Sequence, residues 1–169
     1  MLFTILFTGC AHDEQAEKAI AEAKQLLDAQ PDSALSILDA IKEGKARWPK
    51  SQRMQYELVY AQAQNKAFMD FDTDSIVKEV VEYFEQVGTE FEKMQAYYVL
   101  GCAYRDMGEV PLAIDAYNSA TQFDNDKNPE TEKRLLSSIY SQMANLYHKQ
   151  LLLSEEIEVR EKSIRLSEH

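Results

Sequence analysis

Glycine and proline are scarce in this chain of 169 residues, at 5 and 4 positions. Such sparse punctuation excludes the turn-dense all-β folds and leaves long stretches free to run as helix. Histidine is scarcer still: His12, His148 and His169 lie far apart, two of them near the ends. Acid–base catalysis and metal binding need convergent side chains, so neither a catalytic constellation nor a metal or cofactor site is expected, and the chain reads as no enzyme. Basic residues are outnumbered, 18 Lys and Arg against 29 Asp and Glu, for a net charge of -11. Without a basic stripe there is nothing to neutralise a row of phosphates, which argues against nucleic acid as a partner. The same field repels anionic lipid, so a membrane is reached only through a covalent anchor. Long apolar runs are missing as well. Met1–Gly9 is too short to cross a bilayer, which takes about 20 residues.

Ala, Glu, Lys, Gln and Leu dominate what remains, with 45% hydrophobic and 28% charged residues, enough for one core and a solvated surface. Apolar periodicity and capping residues predict helices over 13–29, 31–42, 51–67, 74–87, 90–107, 110–123, 129–150 and 154–167, paired in order into four hairpins. Pro31 and Pro129 suit first helical turns, Ser51 and Thr73 are candidate caps, and Gly88 and Gly108 fall at helix ends.

Two spacings recur. Tyr97, Leu100, Gly101 and Tyr104 fall at i, i+3, i+4 and i+7, and so do Tyr140, Met143, Ala144 and Tyr147. The small third residue of each set lets a neighbouring helix approach closely. Ala113, Tyr117 and Ala120 follow at i, i+4 and i+7, a spacing repeated by Ala34, Leu38 and Ile41.

Tyr97, Leu100, Gly101, Tyr104, Ala113, Tyr117 and Ala120 together resemble the signature of the tetratricopeptide repeat, with Asn125 where that family has its terminal proline. The resemblance implies an all-α, right-handed superhelical stack of about four antiparallel helix hairpins over residues 11–169. It also implies a concave groove for a peptide or protein partner. The groove-lining positions then correspond to Gln95, Tyr98, Cys102, Arg105 and Asp106 on one helix and Ser138, Ser141, Asn145, His148 and Lys149 on another. Gln62, Asn65 and Lys66 would extend that surface. On this register Tyr98 is an exposed aromatic among polar neighbours, suited to anchoring a peptide.

Residues 1–10 read as the remnant of a signal peptide. Phe7-Thr8-Gly9-Cys10 resembles a bacterial lipobox, in which Cys10 would be the acylated residue. Asp13 and Glu14 either resemble a short acidic surface-export signal or favour the positive end of the first helix. Pro31-Asp32-Ser33-Ala34-Leu35, Thr73-Asp74-Ser75-Ile76 and Tyr98 to Gly108 resemble tetratricopeptide lipoproteins of the Bacteroidales. Similar repeats in that group precede a signalling output. Location in the bacterial cell envelope by a lipid at Cys10 follows from that resemblance, on the periplasmic face or the cell surface of the outer membrane. So do two roles: a scaffold for protein interactions, or the ligand-sensing region of a regulator whose output lies elsewhere.

Other patterns read as structure. Asp70, Asp72 and Asp74 alternate like calcium-loop ligands, but Ser75 and Val81 replace the required Gly and Glu, so helix capping is the better reading. The acidic stretch Glu155 to Glu161 reads as a solvated helix face. Trp48 reads as an apolar wedge, and Cys102 as a small packing residue.

Overall fold

The computed structural model describes residues 12–124 and 129–167. Eight α-helices and one 3₁₀ segment account for most of them, and no strand occurs among the described residues. The helices are α1 (Glu14–Leu26), α2 (Pro31–Ile41), α3 (Lys50–Lys66), α4 (Ser75–Val87), α5 (Glu90–Asp106), α6 (Val110–Thr121), α7 (Glu130–Lys149) and α8 (Leu153–Ser167). Eight helices are therefore found where the periodicity predicts them. The chain divides into two units, Met1–Met69 and Asp70–His169, so the helices of the expected second hairpin, α3 and α4, fall in different units.

In the first unit, α1 buries Ala16, Ile20 and Ala23 against Ala34, Leu35 and Leu38 of α2 and Tyr56, Val59 and Ala63 of α3. Asp13 starts α1: its carboxylate accepts the Gln15 and Ala16 amides at 3.1 and 3.0 Å, satisfying donors that a helix start leaves open. Those bonds, the Ala16 amide foremost, hold the Asp13 carboxyl below its usual range. The same residue is tied to α3, because Gln52 donates Nε2 to the Asp13 carbonyl at 2.6 Å and accepts the Asp13 amide at 3.1 Å. Trp48 is a core residue, 3% exposed, edge-on to Tyr56, with its indole N–H on Asp13 at 3.3 Å. The 3₁₀ segment Lys42–Arg47 was not foreseen, because its polar sequence carries no apolar period and buries no residue of its own.

In the second unit each helix packs on the next, and α5 also touches α7. Thr89 and Glu92 form a reciprocal capping box at the start of α5, at 2.9 and 3.2 Å. Two capping expectations fail. Asp74 precedes α4 but makes no side-chain cap; it pairs with Lys78 at 2.6 Å, and Thr73 Oγ1 takes the Ser75 amide at 3.2 Å. Ser51 lies inside α3, which starts after Pro49.

Gly101 sets the α5–α6 distance. A Cβ at this position would run into the ring of Tyr117, which is fully buried against α5. Three helices end in the same 6→1 turn, with a left-handed residue at its centre. Met69 donates to the Gln64 carbonyl around Phe68, Glu109 to Tyr104 around Gly108, and Leu152 to Tyr147 around Leu151. Their φ angles are 57°, 79° and 59°. Glycine fits this turn without penalty; Phe68 and Leu151 adopt it while 94% and 80% exposed. α8 ends the sequence of helices with one buried residue, Val159, and turns Leu153, Ile157 and Ile164 outward.

Gly101→Ala should therefore lower stability by roughly 1–3 kcal/mol in thermal melts, since the ring or the helix must move to admit one methyl group. Leu151→Gly is expected to act in the opposite sense and raise the melting temperature. It relieves about 1 kcal/mol of left-handed strain, partly offset by the entropy of the added glycine.

Candidate partner-binding face

α5 brings Gln95, Tyr98, Cys102 and Arg105 onto adjoining turns, and the structure divides them into buried and accessible groups. Tyr98 is buried at 8% exposure, which corrects the expectation of an exposed aromatic anchor. The cause is the Gly101 contact: α6 comes so close that the Tyr98 ring lies 6.1 Å from that of Tyr117. Cys102 is fully buried between them. The Tyr117 hydroxyl donates to its sulfur at 3.6 Å, the Tyr98 hydroxyl also reaches it, and burial pushes the thiol up, leaving it inert. Tyr97 and Tyr104 differ in degree: Tyr104 is buried, whereas Tyr97 is half-buried and stacks on Phe123. Gln95 is buried too, and among the described residues nothing donates to its Oε1.

At the C-terminal end of α5, Arg105 lies half-buried. Its guanidinium meets Asp106 Oδ1 through Nε and Nη2, both at 2.7 Å, and donates Nη1 to Gln142 of α7 at 3.1 Å. Burial works against its charge, but the bond to Asp106 and the electrostatic contributions of Cys102, Tyr117 and Asp106 together outweigh that and raise the guanidinium further. Asp106 also accepts the Phe71 amide at 3.4 Å. It is therefore chiefly a brace that fixes Arg105 and the chain entering α4.

The α7 candidates separate by what they touch. Ser141 Oγ lies 3.0 Å from Ser163 Oγ, and His148 Nδ1 lies 2.9 Å from Glu156, so both are engaged with α8. Glu156 also receives Arg160 at 2.7 Å; these bonds, Arg160 foremost, lower its carboxyl. Asn145 and Lys149 are exposed. With Ser138 and Gln142 they follow at i, i+4, i+7 and i+11, one polar stripe along α7 that meets Arg105 at Gln142. Gln142 was not among the sequence candidates, although its place in that stripe was available as a signal. Cys10, the expected lipidation site, lies outside the described residues. No group of His, Cys, Asp and Glu able to hold a metal occurs among the described residues, and none of their helices is long and apolar enough to cross a membrane.

Comparison with protein-family models, curated proteins and solved structures finds no match to this chain.

Burial changes what Tyr98 does when removed. Tyr98→Ala should cost roughly 3 kcal/mol in urea unfolding, as for other buried aromatics cut to alanine, rather than leave stability unaltered.

Proposed function

We propose that this chain is a tetratricopeptide-type interaction module, anchored to the bacterial envelope by a lipid on Cys10, that binds a protein or peptide along α5 and α7. In this reading its hairpins wind as a right-handed superhelical stack and the polar stripe faces the inner side. The observation that carries it is the accessible stripe Ser138, Gln142, Asn145 and Lys149, joined to a guanidinium that Asp106 holds in place. Amide, hydroxyl and ammonium groups in one row suit an extended backbone, whose N–H and C=O groups need partners at regular intervals. Cys102 is buried and inert, so this reading rests on binding and invokes no reaction.

Asn145 and Lys149 are the residues to test, because they are exposed and their loss leaves the core intact. Affinity capture from envelope membranes with the intact chain should recover a partner. Asn145→Ala and Lys149→Ala should each weaken it by about 1 kcal/mol with melting curves unchanged. Full affinity in the double variant would move the binding site off this face.

A further inference from the structure

In the first unit, the end of α2, the 3₁₀ segment and α3 line an open cavity of about 390 Å³. Three carboxylates, Asp39, Glu43 and Glu57, and two ammonium groups, Lys42 and Lys45, line it together with Tyr56 and Tyr60. α3 supplies an aromatic, an acid and an aromatic at i, i+1 and i+4. The two rings stack at 5.7 Å, and Glu57 between them is almost buried, with 10% of its side chain exposed.

Lys45 occupies this arrangement as a bound cation would. Its Nζ lies 2.7 Å from Glu57 Oε1 and 5.0 Å from the centre of the Tyr56 ring, so charge pairing and the ring face act together. The Lys45 side chain is about a third exposed, so it can swing outward while its backbone stays, the Lys45 carbonyl accepting the Trp48 amide at 3.2 Å. The other carboxylates are weakly held. Asp39 has only the Lys42 ammonium at 3.4 Å and the Tyr60 hydroxyl at 3.5 Å, and Glu43 is exposed with no partner among the described residues. The cavity is one positive charge short of neutral, in a chain whose net charge of -11 draws cations toward it.

We propose that this cavity receives a basic side chain of a partner, an alkylguanidinium or alkylammonium, and that Lys45 is the tethered occupant it displaces. The incoming group takes the place of Nζ between Glu57 and the Tyr56 ring, and the displaced Lys45 ammonium turns to Asp39 and Glu43, so that three cations then face the three carboxylates. This site belongs to the first unit and stands independently of the α5–α7 face.

The test is a titration of the full chain with N-acetyl-arginine amide, followed by amide NMR shifts and melting temperature, with N-acetyl-glutamine amide as the neutral control. Shifts should concentrate in residues 39–45 and 56–60 and be absent with the control. Lys45→Met keeps the aliphatic stem and removes the competing charge, so the arginine probe should bind it about tenfold more tightly. The variant leaves Glu57 without its cation; it should melt below wild type and regain more on addition of the probe than wild type does. Asp39→Asn should weaken binding about threefold or more. A Lys45→Met chain that binds the probe no better than wild type and is not restabilised by it overturns the proposal. Equal binding of the glutamine control does the same.

Discussion

Much of the second unit depends on one contact, the ring of Tyr117 against the bare backbone of Gly101. Because α5 has no side chain there, α6 closes onto it and places a fully buried aromatic against its backbone. Three consequences follow. The Tyr117 hydroxyl reaches the Cys102 sulfur, and the burial that comes with this packing raises the thiol and removes it from chemistry. Tyr98 is drawn into the same aromatic contact. The accessible polar end of α5 lies one turn further on, at Arg105, where Asp106 and Gln142 fix the guanidinium. A close-packed interior transmits a local change of this kind because no slack surrounds it.

The first unit is organised around a polar clasp. Asp13 caps α1 with its carboxylate, exchanges two hydrogen bonds with Gln52 of α3, and accepts the indole N–H of Trp48. The helix start, the far helix and the large core aromatic thereby share one residue. Trp48 is the wedge its sequence setting suggested, and its polar edge is satisfied rather than offered outward. On the other side of Tyr56, the same α3 residues that complete the core turn an acid and a second ring toward the Lys45 cavity.

Left-handed residues add a separate constraint. The turn that ends α5 has Gly108 where the geometry wants glycine, while the equivalent turns after α3 and α7 carry Phe68 and Leu151. Exposed apolar side chains in a strained backbone are not what stability alone would select. Leu151 continues into Leu152 and Leu153 and the outward residues Ile157 and Ile164, so among the described residues the end of α7 and the outward face of α8 gather several exposed apolar side chains.

Sequence by itself determined the helices and the tight spot. Period, proline and glycine positions place all eight helices, with α1 ending at Leu26 rather than Ala29 and α6 at Thr121 rather than Phe123, because these are local effects of backbone sterics and of which side chains repeat every turn. Gly101 was legible for the same reason: a small residue among aromatics at helical spacing has few other uses. Tertiary structure alone decided which face of each helix is covered. Tyr98 and Asn145 both sat on the expected groove side, yet α6 covers the first while the second is exposed, a difference set by how closely two helices approach. Gln142 gained its role from Arg105 on another helix, and Ser141 and His148 were claimed by α8. Lys45, in a segment with no apolar period, became the occupant of a cavity only because α3, twelve residues on, brings Glu57 within 2.7 Å. Pairings of this kind depend on distances between elements, which no window along the chain contains.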